Sequence, residues 1–344
     1  MLDVGAMDDA ARAMHLVEYR NGAVLRQVPT RNGFGEGLVE AGKRDRNVIA
    51  ICADLSESTR MEAFKKTLPE QYIEIGVAEQ LLVAMASGLA AAGKIPFIAS
   101  YAMFNPGRSW EQVRTTMALN ETNVKIAGAH AGVSVGPDGA THQAIEDIAI
   151  MRVIPHMTVV VPCDALQTKK ATLAAAQRWG PTYLRFAREK SPVITTEETP
   201  FEIGVAQTFR EGDDVAVVAC GILVYNALVA AEEVEREDGI RARVINNHTV
   251  KPMDDETILA AARECGTVVT VEEHQIAGGM GSAVAELLAQ RHPVPIDFIG
   301  VHDRFGQSGD PLELIEHYGM GTQAIKEAIR RAYRRKRRDR PVTG

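Results

Sequence analysis

Apolar, β-rich runs alternate with helix-like segments along the whole chain. The first series is NVIAICADL (47–55), YIEIGV (72–77), IPFIASY (95–101), VKIAGAH (124–130), MTVVVPC (157–163) and TYLRFA (182–187). Most of these runs are apolar throughout rather than alternating, the pattern of strands covered on both faces. Segments such as 79–92 and 164–179 lie between them and are long enough for crossover helices. That order predicts an α/β fold with a parallel sheet. The stretch SPVITTEETP (191–200) interrupts the pattern and reads as a linker across the surface. A second series follows: DVAVVACG (214–221), ARVINN (242–247), TVVTVEEH (267–274) and PIDFIGV (295–301), with helices expected over 223–237, 254–264, 280–291 and 311–334. The expectation is two parallel-sheet, doubly wound α/β domains at 25–190 and 201–335, joined by the linker 191–200 and followed by a basic tail at 336–344.

Composition agrees with this picture. The chain has 344 residues, about two domains' worth at roughly 150 residues each, and enough for a large core. With 46% apolar and 24% charged residues it is an ordinary globular chain. The net charge of −7 argues against a body that coats nucleic acid. The charge is uneven, however. Residues 330–340 carry eight Lys/Arg and one Asp, a local +7 that leaves −14 for the rest. Such a run is ordinarily a solvated, frayed helix end, the alternatives being RNA, a membrane or an acidic partner subunit. Cys52, Cys163, Cys220 and Cys265 are far apart and sit in or beside apolar runs, without CxxC or Cys/His ligand spacing. Free buried thiols fit a reducing compartment. The opening MLDVGAMDDAARAMH has no apolar signal core, and no stretch reaches membrane-spanning length. A soluble cytoplasmic protein is expected.

In open parallel sheets, ligands bind outside the carboxyl ends of the strands. In the first series those ends carry Asp54 to Ser58, then Gly76 to Glu79, then Ser100, Tyr101 and Phe104. His130 follows the fourth strand, with Asp138, Gly139 and His142 shortly beyond, and Arg188 follows the last. The second series offers mainly 246–248 and 272–274, so the chemistry is assigned to the first domain. Glu79 opens a uniformly small, apolar helix expected to be buried all round, often against another subunit. Taken alone, Glu79 is equally an acid stabilised by the helix dipole. The stretch from His130 to His142 (HxxxxxxxDGxTH) carries two histidines on a glycine-rich loop, suited to proton transfer or substrate hydrogen bonding. Arg31, Ser58 and Arg188 taken singly are ordinary surface or capping residues, and their meaning depends on whether they meet. No GxxxxGK[ST] occurs, and no GxGxxG opens a helix after a strand. GGMG (278–281) either cradles a phosphate at a helix start or permits close helix packing.

GVAEQ (76–80), IPFIASYAMF, HAGVSVGPDGATHQ and PTYLRFAR resemble the pyrimidine-binding domain of transketolases, and VKPMDDE through VEEH and GGMGSAVAELL to FGQSGDP resemble that family's C-terminal domain. The resemblance spans about residues 25–330. Full-length transketolases also carry an N-terminal domain that holds thiamine diphosphate through Mg²⁺ with a GDG…N motif, and this chain contains no GDG. The resemblance therefore implies the C-terminal half of a split transketolase, in an α2β2 assembly with a companion subunit that binds the diphosphate and Mg²⁺ or Ca²⁺. It implies that Glu79 bonds N1′ of the aminopyrimidine, favouring the tautomer whose N4′ accepts the C2 proton, and that Tyr101 and Phe104 form the stacking wall. Asp54 is implied near the cofactor and dimer contact. Asp138 and His142 match groups that bind ketose hydroxyls, and His130, Arg31, Ser58 and Arg188 match the grip on a sugar phosphate. The residues around Glu79 depart from the ArgGluHis often found in transketolases. AlaGluGln (78–80) is closer to deoxyxylulose-phosphate synthases, which leaves those enzymes, 2-oxoacid dehydrogenase subunits and a non-catalytic scaffold as alternatives.

Overall fold

The computed structural model describes residues 9–20 and 22–338. It contains a seven-stranded sheet in the order Thr249–Lys251, Thr158–Val160, Thr182–Arg185, Lys125–Ala129, Ile95–Tyr101, Val48–Cys52 and Tyr72–Glu74. A five-stranded sheet runs Ile296–Val301, Val268–Gln275, Val215–Ala219, Ala242–Asn246 and Gln207–Arg210. Each sheet is parallel except for one antiparallel edge, Thr249–Lys251 in the first and Gln207–Arg210 in the second. Central strands such as Val48–Cys52 and Val215–Ala219 are buried at every position, as their continuous apolar character requires. Two parallel-sheet α/β units are therefore present.

The two units are less separate than the sequence pattern implies. Thr249–Lys251 belongs by sequence to the second series, yet it extends the first sheet by pairing with Thr158–Val160. One apolar cluster also runs from Ile148, Met157 and Val159 to Val218, Ile245 and Val284. The stretch 191–200 corrects the surface-linker expectation. Lys190–Pro192 pairs with Gln27–Pro29, and Val193, Ile194 and Thr195 are buried. Their fixed position has a polar cause: Asp164 caps its own helix at Gln167 and also accepts the N–H groups of Ile194 and Thr195.

Three helices also differ from expectation. Thr30–Arg44 is a 15-residue helix whose glycines suit packing more than helix propensity. A Cβ at Gly33 or Gly37 would collide with the backbone of the Ala165–Gln177 helix or the residues on it. The Glu79–Ala91 helix is buried on one side only; Leu81, Ala84 and Gly88 are exposed. The expected helix over 311–334 is broken into Pro311–His317 and Thr322–Arg338, with Gly319 at positive φ between them. The basic end is partly committed within the fold. Arg330 pairs with Glu237 and Asp238, Arg335 pairs with Asp297, and Lys336 donates to the carbonyls of Asp213 and Asp214. The remainder of the proposed tail at 336–344 lies largely outside the described residues. Among the described residues, no helix is long and apolar enough to cross a membrane.

Candidate active site

The carboxyl ends of the first sheet gather residues distant in sequence, through three local devices. Thr30 opens its helix with Oγ1 donating to the Ala187 carbonyl at 3.1 Å and accepting the Ala187 N–H at 2.9 Å. Together with the pairing of Gln27–Pro29 and Lys190–Pro192, this fixes Arg31 and Arg188 at one edge. Arg31 Nη1 then donates to the Ser58 carbonyl at 2.8 Å, drawing in the loop after Val48–Cys52. Finally, His130 leaves its strand at φ 55°, which turns its ring face to face with Tyr101 at 3.9 Å between centroids.

The aromatic cluster extends from that stack. Tyr101 and Phe104 lie 6.1 Å apart and 16° from parallel, and His142 meets the edge of Phe104 at 5.3 Å. Asp138 lies 3.5 Å from Arg188 Nη1, which also donates to the Val135 carbonyl at 2.8 Å. Glu79 is buried in the first turn of its helix, with Arg108 Nε at 4.0 Å. The Arg108 N–H donates to the Phe104 carbonyl at 2.9 Å, so the aromatic turn and the buried carboxylate adjoin. Asp54 stands apart from the ring cluster: it is exposed, at φ 57°, with its N–H donating to Glu74 Oε1 at 2.8 Å.

The electrostatics favour an anion. Burial first, then the charges of Arg60 and Arg188, lower the pKa of Arg31. Burial, followed by Arg31, Arg188, Arg60 and His142, pushes His130 down to about 3. His130 is therefore neutral near pH 7 and adds a hydrogen-bonding group without a further charge. Arg31 Nε and His130 Nδ1 are buried without a protein partner among the described residues, so polar capacity remains for a ligand. An aromatic face, a buried carboxylate and an anion-attracting end can together hold a flat heterocycle beside an acidic or phosphorylated substrate.

Two residues escaped the sequence reading. Arg60, two positions after Ser58, donates Nε to Asn32 Oδ1 at 2.9 Å and adds a third guanidinium to the field on His130. Arg108 is the ionic neighbour of Glu79. The only signal for either was proximity in sequence to a residue already chosen. GGMG (278–281) is resolved in favour of packing: Glu272 Oε2 and Oε1 accept the N–H groups of Met280 and Gly281 at 2.7 and 2.8 Å. An internal carboxylate thus fills the place of an external anion. Two open clefts of about 520 and 570 Å³ flank the exposed Trp179 at the amino end of the first sheet, and none of the residues chosen above lines either.

Residues 26–193 match the family model "Transketolase, pyrimidine binding domain", and residues 204–325 match "Transketolase, C-terminal domain". The chain is 43% identical to the putative transketolase C-terminal section of Methanocaldococcus jannaschii, over 87% of this chain and 94% of that protein. It is 40% identical to the 6-deoxy-6-sulfo-D-fructose transketolase subunit of a Clostridium strain, over 89% of this chain and 95% of that protein. A solved structure described as a split gene transketolase in an inactive β4 tetramer superposes with a TM-score of 0.84 at 42% identity, covering 90% of this chain and 99% of that one. The chain belongs to the transketolase family and carries its pyrimidine-binding and C-terminal domains.

Proposed function

We propose that this chain is the β-type subunit of a thiamine diphosphate-dependent transketolase that moves a two-carbon ketol unit from a ketose to an aldose, each ending in an anionic group. The observation that carries the reading is the junction of the Tyr101–Phe104 rings and Glu79 with the end formed by Arg31, His130 and Arg188. The residues present fit the aminopyrimidine. Tyr101 and Phe104 offer nearly parallel faces, Glu79 is a buried carboxylate, and Ser100 Oγ is a buried polar atom without a protein partner among the described residues. When bound, thiamine diphosphate supplies the nucleophilic carbon that cleaves a ketose beside its carbonyl.

In this reading the buried Glu79 carboxylate would hydrogen-bond N1′ of the ring and hold it in place. Tyr101 and Phe104 orient the ring, and Asp54 lies toward the cofactor and dimer contact. Asp138 and His142 bind hydroxyls beside the reacting carbon; His142 is the proton-handling member of the catalytic pair, and the neutral His130 serves it as a hydrogen-bonding group. Arg31, Ser58, His130 and Arg188 bind the terminal anion, a phosphate, with a sulfonate as the second candidate because one relative is named for a sulfonated sugar. The companion N-terminal subunit supplies the diphosphate site with its Mg²⁺ or Ca²⁺, in an α2β2 assembly located in the cytoplasm. The structural relative's description as an inactive tetramer of one chain type supports that dependence.

Mixing this chain with a companion carrying GDG…N, thiamine diphosphate, Mg²⁺, xylulose 5-phosphate and ribose 5-phosphate tests the reading. A seven-carbon ketose phosphate should form only when both chains are present. A stable complex that turns over pyruvate instead would replace the ketol donor with a 2-oxoacid, and turnover by this chain alone would overturn the division of labour.

A further inference from the structure

We propose that Glu273, carried by the second domain, is a positioning residue for the loop that holds Asp138 and His142. That loop is irregular and rich in glycine, held internally by a few turn bonds such as Gly139 N–H to the Gly136 carbonyl and by Gln143 Nε2. Between His130 and His142 it passes through Gly132, Gly136 and Gly139 at φ 88°, 78° and 74°, and its only helical piece is the 3-10 segment Val133–Asp138, kinked at Gly136. Glycines at such angles give the conformation but also the largest ordering cost.

The restraint comes from across the domain boundary. Glu273 Oε1 accepts the Ser134 N–H at 2.6 Å, and a Cβ at Gly132 would collide with the same carboxylate. Gln143 Nε2 donates to the Gln307 carbonyl at 2.9 Å while also reaching the Val133 and Gly136 carbonyls at 3.0 and 3.3 Å. Gly136 packs against Pro311, and Gly139 against Ser308. The backbone of Glu273 is anchored as well, because its carbonyl accepts Arg185 Nη2 at 2.8 Å while Arg185 Nε bonds Asp147 at 2.8 Å.

A buried carboxylate is an expensive way to hold one N–H. Glu273 is buried and its pKa is raised by that burial, against the opposing charge of Arg185. An apolar side chain of similar volume would pack at lower cost but could not accept the Ser134 N–H. The carboxylate therefore specifies where the loop stands at Ser134, four residues before Asp138 and eight before His142. The consequence for turnover rests on the ketol-transfer reading above, whereas the clamp itself does not.

Hydrogen–deuterium exchange of the full chain tests the clamp without any reaction. Glu273→Ala should raise exchange of peptides within 131–143 about tenfold or more, while peptides from Val215–Ala219 and Lys125–Ala129 stay unchanged. Glu273→Gln keeps an acceptor oxygen and should restore most of the protection. Should the alanine variant fail to fold, Glu273→Leu fills the volume without an acceptor and should show the same loop-specific rise. Loop exchange equal to the unaltered chain in a folded Ala or Leu variant overturns the proposal, as does a rise spread equally over the sheets with no recovery in Gln. In the reconstituted complex, Ala or Leu should raise KM for the sugar phosphate about tenfold with kcat changed less than threefold, and Gln should stay close to unaltered. A loop-specific rise in exchange in a complex that turns over no sugar would separate the clamp from the ketol-transfer reading and leave only the latter refuted. An active complex with a loosened loop and unaltered KM would overturn the positioning role.

Discussion

The loops at 278–281 and 130–143 both follow a parallel strand, and both bring glycine backbone to a place where an anion could sit. In the first, Glu272 already accepts the N–H groups of Met280 and Gly281, so the helix start is closed by the chain's own carboxylate. In the second, His130 Nδ1 and the nearby Arg31 Nε are buried without protein partners among the described residues, and burial, followed by three guanidinium groups, lowers the pKa of His130. The difference is one of unspent polar capacity rather than glycine content. A glycine-rich turn becomes a binding site only where its polar groups are left for a ligand.

Removing the internal anion attacks the closed loop. Glu272→Ala leaves two buried N–H groups unpaired, and chemical unfolding should show a loss of about 2–6 kcal/mol, at roughly 1–3 kcal/mol for each abandoned donor. No loss beyond a few tenths would mean that water replaces the carboxylate and the loop is not closed.

The open loop should respond in binding instead. Arg188→Ala removes a charge-assisted partner, a contact worth about 1.5–3 kcal/mol, so KM for a phosphorylated sugar should rise roughly ten- to a hundredfold in the reconstituted complex. Its unfolding midpoint should move little, since Arg188 is half-buried and its ion pairs with Asp138 and Glu189 are loose, at 3.5 and 3.4 Å. An unchanged KM would remove Arg188 from the anion grip.

The smallest effect is on pH dependence. Burial holds His130 at about 3 and His248 at about 4, against roughly 6.5 in an unfolded chain. Between those values the unfolded state binds more protons, so their contribution is fully present above about pH 6.5 and is lost as pH falls toward the folded values. His130→Asn should flatten the stability–pH curve in that window by at most about 1.4 kcal/mol per pH unit. Urea unfolding between pH 4.5 and 7.5 measures it, and a slope identical to that of the unaltered chain would contradict a buried, neutral His130.

The strands were legible because burial on both faces writes itself as continuous apolar runs, and the sites at their carboxyl ends follow from parallel topology alone. What stayed hidden depends on contacts distant in sequence. Thr30–Arg44 was hidden because Gly33 and Gly37 serve close packing against another helix and so read locally as helix breakers. Thr249–Lys251 is a three-residue strand whose partner lies in the other domain, beyond the reach of local periodicity. Buried Lys125 was equally unmarked, since its Nζ is satisfied by the Arg178 and Gly180 carbonyls some fifty positions away, at 2.6 and 2.7 Å. The bond from the Ser134 N–H to Glu273 across the boundary was equally hidden, because its two ends lie far apart in sequence.

The most direct test of the central claim compares the unaltered chain with Glu79→Ala in the reconstituted, thiamine diphosphate-saturated complex, following seven-carbon ketose phosphate. Both chains should assemble equally with the companion, and the variant's rate should fall by about 10²–10⁴, the range set by losing a positioned acid–base group. A Glu79→Ala complex that assembles and keeps the full rate would contradict the assignment of this carboxylate, and with it the proposed mechanism.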